Sequence, residues 1–234
     1  MPASPVSGEP GRTQPGRTQP GLRQHGRRAA PATEAAQAAE TETADLRESI
    51  LAATARLLSE HSFTDLAVSD ILRVAAVSRG SFYFYFDSKQ AVLAELVRRA
   101  VGRGHAAAEP WLASPADPIA ALRAGITAGA ELWQASAPVL RAIVENWRAD
   151  PRLTELWLEQ MRTFTDVTIA QITADPRAMQ NLAGQDIEAI ASALTWLGER
   201  LYYLAATGTP PFDDTDTLVS TLLHIWTSTL YAST

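Results

Sequence analysis

Ala75–Lys89 reads AAVSRGSFYFYFDSK, and this stretch decides the fold. Before it, Val68–Ala75 has the length and apolar spacing of a short helix with Ile71, Leu72 and Ala75 facing inward. Ala75-Ala76-Val77-Ser78 then forms a turn, in which Val77 can plug the angle between two helices. Ser78 is a natural N-cap, because its hydroxyl can accept from a backbone N–H that the next helix leaves unpaired. Arg79, Gly80 and Ser81 occupy the first turn of that next helix. A short support helix, a tight turn and a second helix presenting its N-terminal residues form a helix-turn-helix.

The first-turn residues suit contact with a base edge. Arg79 can donate two hydrogen bonds to guanine. Gly80 permits close backbone approach, and Ser81 can reach a base or a phosphate. Five consecutive aromatics follow, Phe82 to Phe86, too many for one buried stripe on so short a helix. Phe82 and Phe86 are four apart, share a face and belong in the core. Tyr83 and Tyr85 point elsewhere, and their hydroxyls can donate to phosphate oxygens. Phe84 could touch a thymine methyl or a sugar. Lys89 opens a fourth helix, capped by Asp87 or Ser88. There it adds a point charge beside unpaired N–H groups that also favour an anion. The expected DNA-facing set is Ser78, Arg79, Gly80, Ser81, Tyr83, Tyr85 and Lys89.

Charge places that surface. The 234-residue chain has net charge −6, unhelpful for a polyanion. The acids, however, crowd into 104–234, fifteen against seven Arg, and the first 103 residues are slightly basic. No cysteine is present, which excludes a disulfide framework, a thiolate metal site and a thiol nucleophile. The N-terminus lacks the apolar region of a secretory signal. No run approaches the roughly 18 apolar residues of a membrane span. A cytoplasmic protein without a cofactor or metal is expected.

Three regions follow. Residues 1–43 are rich in Pro, Gly, Gln, Thr and Ala and repeat GRTQP at Gly11–Pro15 and Gly16–Pro20. They read as a disordered tail, either a basic arm that helps DNA binding or a passive one. Residues 44–87 read as the helix-turn-helix domain. Its first helix starts at Ala44 and ends near Glu60 or His61. Residues 88–234 read as a helical bundle. Its fourth helix runs from Ser88 to Gly102, followed by Asp117–Gln134, Pro138–Ala149, Pro151–Ala174, Asp186–Thr207 and Asp214–Tyr231. Asp-Pro pairs at 150–151 and 175–176 break the runs. The expected fold is all-α with about nine helices. Trp133, Trp147, Trp157, Trp196 and Trp226 lie in the bundle and Trp111 in the connector. Most should be core, and some could line a cavity for an apolar ligand.

The stretch Ala67–Leu93, AVSDILRVAAVSRGSFYFYFDSKQAVL, resembles the DNA-binding signature of the TetR family, T-x-x-x-I-A-x-x-A-G-V-S-x-G-x-F-Y-x-Y-F-x-x-K. Turn, aromatics and lysine fall in register. Two positions depart from it: Ala67 stands where a Ser or Thr caps the second helix, and Ala76 where the turn has Gly. The resemblance implies a homodimeric repressor, with a three-helix DNA-binding domain below a ligand-binding bundle, acting on operator DNA.

A closer similarity, to the mycobacterial EthR-type branch, is carried by SFYFYFDSKQAVL, TELW at Thr154–Trp157, ALTWLGERLYY at Ala193–Tyr203 and LLHIWTSTLY at Leu222–Tyr231. That branch binds long hydrophobic ligands. It implies a pocket wall of Leu122, Ile126, Trp133, Trp157, Met161, Phe164, Thr195, Gly198, Glu199, Tyr202 and Trp226. Thr195 and Gly198 stand where the branch has amides. Gly129 replaces a bulkier aromatic, which suggests a wider cavity. Glu199-Arg200 reads as a solvent-facing pair, with a buried ion pair as the alternative.

The resemblance also implies dimerisation through the last two helices. The apolar stripes there are Ile187, Ile190, Leu194, Leu197 and Leu201, and Leu218, Leu222, Ile225 and Thr229. Two alternatives stand beside a ligand-responsive repressor. One is a DNA-binding protein without an effector. The other is an enzyme using the aromatic pocket, which has little behind it: His25, His61, His105 and His224 form no metal spacing, and no Ser lies in GxSxG.

Overall fold

A computed structural model describes the backbone of residues 30–112 and 117–231, with side chains over 44–102 and 117–231. The expected tail up to residue 29, with His25, and the side chains of His105 and Trp111 lie outside the described residues. The chain divides into units Met1–Glu40 and Thr41–Thr234. In the first, residues 30–40 are helical. The second carries the sites.

Among the described residues there are ten α-helices, one 3-10 turn and no strand. They are α1 Ala30–Glu60, α2 Val68–Ala75, α3 Arg79–Tyr85, α4 Lys89–Leu112, α5 Pro118–Ala135, α6 Ala137–Asn146, α7 Pro151–Ala174, α8 Pro176–Asn181, α9 Ile187–Ala206 and α10 Thr215–Tyr231. Trp147–Ala149 form the 3-10 turn.

Aspartates set many of the starts. Asp117, Asp150, Asp175 and Asp186 each accept backbone N–H bonds at an N-cap. After the first three of these a Pro takes the first helical position, where its missing donor costs nothing. Helical boundaries differ from expectation most at three places, besides the expected Pro138–Ala149, whose last three residues form the 3-10 turn. The first helix begins at Ala30 rather than Ala44, through an Ala- and Glu-rich stretch of high helix propensity. The fourth helix does not stop at Gly102 but continues to Leu112. Each glycine inside a helix costs only about 1 kcal/mol, so Gly102 and Gly104 do not end α4. Finally, Asp175-Pro176 starts α8 instead of a plain loop, because Asp175 caps it.

Two apolar clusters fill the second unit. One joins Ile50, Leu57, Phe82 and Phe86 through Val92 and Val97 of α4 to Leu140, Trp157 and Met161. It crosses the expected domain boundary after Asp87 without a break. The other joins α5, α9 and α10 through Leu122, Leu194, Leu201, Leu218 and Leu222. Leu194, Leu201, Leu218 and Leu222, assigned above to interface stripes, are 7% exposed or less. They face their own core, since α9 and α10 pack against the bundle through those positions. Ile187, Ile190, Leu197, Ile225 and Thr229 remain partly accessible.

Candidate nucleic-acid interface and ligand cavity

The helix-turn-helix is shaped by two alanines and two serines. Ala67 offers no side-chain acceptor to α2. Instead Asp70 Oδ2 accepts from the Ala67 N–H at 3.2 Å. That bond, with Arg73 beside it, holds the Asp70 carboxyl below its usual range. At the other end Ala76 adopts φ 54°, ψ 36°, and the N–H groups of Ala76 and Val77 both donate to Leu72 O. This left-handed geometry costs an L-residue roughly 1–2 kcal/mol. It is the conformation that makes glycine usual at a helix C-terminus. Ser78 Oγ then accepts from the Ser81 N–H at 3.0 Å and lies 2.8 Å from Ser81 Oγ. Ser78 caps α3 as expected, and the two hydroxyls bond each other.

The outer face of α3 carries Arg79, Gly80, Tyr83 and Phe84, all exposed, while Phe82 is fully buried and Phe86 nearly so. The Arg79 guanidinium lies 5.4 Å from the Tyr83 ring centre. A Cβ at Gly80 would meet only the Ser78 hydroxyl, at an ordinary 3.7 Å. No protein atom therefore requires glycine there. Phe84 is 76% exposed and meets Tyr85 edge-on at 4.9 Å. Tyr85 is half-buried.

Lys89 has intramolecular partners that the sequence did not announce. Its ammonium donates to the carbonyls of Phe63 at 2.8 Å, Thr64 at 3.1 Å and Leu66 at 2.7 Å. It also sits 4.8 Å from the Phe63 ring centre. Partial burial lowers its pKa. An ammonium has three donors, and all three are taken. Lys89 therefore ties the start of α4 to the α1–α2 connection. Nothing in the local sequence reveals this, because the acceptors lie 23 to 26 positions away.

A cavity of about 180 Å³ lies among α4, α5, α6, α7, α9 and α10. All eleven expected residues line it. Leu122, Ile126 and Trp133 come from α5, and Trp157, Met161 and Phe164 from α7. Thr195, Gly198, Glu199 and Tyr202 come from α9, and Trp226 from α10. Further residues line it that were not foreseen, Val101 of α4, Leu140 of α6 and Thr168 of α7 among them. Their helical pattern was readable, but nothing in it distinguishes a cavity wall from solid core.

Gly129 lines the cavity beside the Tyr202 ring. A Cβ there would lie 2.6 Å from the Tyr202 hydroxyl oxygen. The Tyr202 ring occupies the space beside Gly129, stacks on Trp133 at 6.2 Å and donates its hydroxyl to Ile126 O at 3.0 Å. Glu199 is 6% exposed, while Arg200 beside it faces solvent, with Nε and Oε2 3.9 Å apart. The pair is neither wholly buried nor wholly solvent-facing. Burial raises the Glu199 pKa, and Arg200 opposes this weakly. Trp157 Nε1 is fully buried and has no hydrogen-bond partner among the described residues.

Comparison with known proteins follows both halves of this geometry. Residues 50–96 match the family model "Bacterial regulatory proteins, tetR family", and residues 122–232 match "Transcriptional regulator EthR, C-terminal domain". The HTH-type transcriptional regulator EthR of Mycolicibacterium smegmatis is 32% identical over 192 residues, covering 81% of this chain and 88% of the relative. The chain belongs to the TetR family. EthR of Mycobacterium tuberculosis is 31% identical over 192 residues, covering 80% of this chain and 88% of the relative. Among solved structures, the fatty acid degradation regulator FadR from Bacillus halodurans shares the fold, with a TM-score of 0.63 at 15% identity over 79% of this chain and 94% of its own. This TetR-family chain is thus an all-α, helix-turn-helix transcriptional regulator that resembles EthR. Among the described residues no helix is long and apolar enough to cross a membrane, and no cluster of His, Asp or Glu could hold a metal ion.

Proposed function

We propose that this regulator is a cytoplasmic repressor. It binds a palindromic operator as a homodimer and releases it when a small apolar molecule enters the bundle cavity. The observation that carries the reading is the course of α4. Its first residue, Lys89, is bonded to three carbonyls of the helix-turn-helix region. Three turns on, Val101 lines the cavity. A ligand that displaces α4 shifts the helix-turn-helix with it, and DNA and ligand must then weaken each other's binding by the same factor.

In this reading residues 44–87 form the DNA-binding domain and 88–234 the ligand-binding and dimerisation domain. Arg79 reads a base edge, and Gly80 lets the duplex approach. The Tyr83 and Tyr85 hydroxyls meet phosphates. Ser78 and Ser81 hold the start of α3, with Ser81 free to rotate toward DNA. Lys89 acts by positioning α4. The partners are double-stranded operator DNA, a small hydrophobic effector and a second copy joined through the accessible positions of α9 and α10. A two-fold dimer places the half-sites about 34–36 Å apart. The presence of the cavity favours this over an effector-independent DNA-binding protein.

Selection from random duplex DNA tests the reading. The expected product is a palindrome with half-sites one helical turn apart or a little more, relaxed at one position by Arg79→Ala. Recovery of no preferred sequence, or of a single unpaired half-site, would refute it.

A further inference from the structure

We propose that Phe84 is a second base-reading residue, which recognises the 5-methyl group of a thymine in each half-site. This rests on the reading of α3 as the helix that enters the major groove of the operator.

Phe84 is 76% exposed, the most exposed large apolar side chain among the described residues. Its ring meets Tyr85 edge-on at 4.9 Å and 89°, and Tyr85 is itself packed against the core. The ring is thus braced on one side and bare on the other. Four residues before it, on the same helical face, stands Gly80. A Cβ there would meet only the Ser78 hydroxyl, at 3.7 Å. Nothing within the protein calls for either choice. A glycine loosens a helix, and an aromatic ring left in water forgoes the gain of burial. A duplex pressed against this face accounts for both, since it needs a bare backbone at 80 and covers the ring at 84.

The chemistry of the ring selects its partner. Phe84 stands between Tyr83 and Tyr85, whose hydroxyls can bond phosphate. Of the three it alone carries no polar atom, so a phosphate gains nothing from it. The major-groove edges of the base pairs present donors and acceptors, together with one apolar group, the thymine methyl. A deoxyribose is the other apolar partner, but it carries no sequence information. The shared face with Gly80, where the backbone lies bare to the duplex, favours the base edges over the rim of the groove. Arg79 lies five residues earlier. Five residues advance a helix axis by about 7.5 Å, roughly two base-pair steps of about 3.4 Å. Arg79 and Phe84 therefore address different base pairs of one half-site, one through a charged fork and the other through apolar contact.

The palindrome that the full-length protein selects from random duplex DNA supplies the probe. Each thymine of the half-site is replaced in turn, in both halves, by deoxyuridine, which keeps every hydrogen-bonding group and lacks only the methyl. Fluorescence anisotropy reads the affinities of wild type and Phe84→Ala. At one thymine position the wild type should lose about fourfold for each half-site, the factor that follows from one buried methyl-sized group. Phe84→Ala should bind the two duplexes equally at that position. The ratio is taken within each protein, so partial unfolding of the variant cancels. A half-site without thymine, equal affinity for thymine and uracil at every position in the wild type, or a methyl effect that survives Phe84→Ala would overturn the proposal and leave α3 a recognition helix. Weakening of all duplexes alike by Phe84→Ala, with no methyl effect, would assign the ring to a sugar and overturn it equally. Selection of no preferred sequence would overturn the recognition-helix reading itself, and this proposal with it.

Discussion

Replacing Lys89 with Met keeps the apolar stem and removes the ammonium, which separates two roles for this residue. In the structure the ammonium makes three bonds to carbonyls of Phe63, Thr64 and Leu66. Hydrogen bonds to a charged donor contribute about 1.5–3 kcal/mol each. Thr64 is exposed, so water can replace that bond. Phe63 and Leu66 are 4% and 3% exposed, so their carbonyls are harder to resolvate. The cation–ring contact with Phe63 adds about 0.5–1 kcal/mol. Against these stands the cost of partly desolvating the ammonium, which lowers its pKa. The net loss works out at roughly 2–4 kcal/mol from these bond strengths. At roughly 2–4 °C per kcal/mol for a domain of this size, Tm should fall by about 5–15 °C. Circular dichroism melting reads this directly. Operator affinity against salt, measured well below Tm, should keep its slope. An unchanged Tm with the log–log slope reduced by about 0.9, the signature of one lost phosphate contact, would refute the tether and restore Lys89 to the DNA surface.

Ala76→Gly should raise stability by about 0.5–1 kcal/mol, because glycine adopts the left-handed conformation without the Cβ clash and gives back only part of that in chain entropy; a lower Tm by calorimetry would contradict the strain assigned to Ala76. Glu199 has a raised carboxyl pKa in the folded state, so the native protein binds more protons than the unfolded chain between the ordinary carboxylate range and that raised value. Stability then falls as pH rises through this window and stays lowered above it. Glu199→Gln should therefore melt higher than wild type at pH 7, with the gap closing toward pH 4 in urea titrations; a gap independent of pH would show that desolvation is not the cause. Gly129→Ala should displace the Tyr202 ring, since its Cβ would lie 2.6 Å from the phenol oxygen. A lowered Tm and an altered near-ultraviolet aromatic signal are expected, and an unperturbed spectrum would rule the collision out.

Local chemistry was readable from sequence; distant pairings were not. Asp117, Asp150 and Asp186 announce helix starts because a cap and its recipient lie two or three residues apart. The burial of Phe82 and Phe86 follows from a four-residue spacing on one helix. The eleven cavity residues were identified because the resemblance supplies the register and each lies on an inward face. Other features arise from residues far apart in the chain. The Lys89 acceptors and the exchange of volume between Gly129 and Tyr202 belong to this class. So does the burial of Leu194, Leu201, Leu218 and Leu222, since an apolar stripe looks the same whether it faces its own core or another subunit. Helix length is a further case: α4 passes through Gly102, where a Cβ would meet nothing within 4 Å. Glycine there marks neither a stop nor a close approach.

The fit of Tyr202 against Gly129 also constrains the order in which this pocket can change. A side chain at 129 meets the Tyr202 ring carbon at 2.8 Å as well as the oxygen, so shedding the hydroxyl alone does not make room. Residue 202 must shrink first, and that step removes the Trp133 stacking and the bond to Ile126. Either single substitution thus loses packing or bonds that the double one need not lose. Lineages holding this pair would diverge in ligand preference through other wall positions, leaving 129 and 202 to change only together.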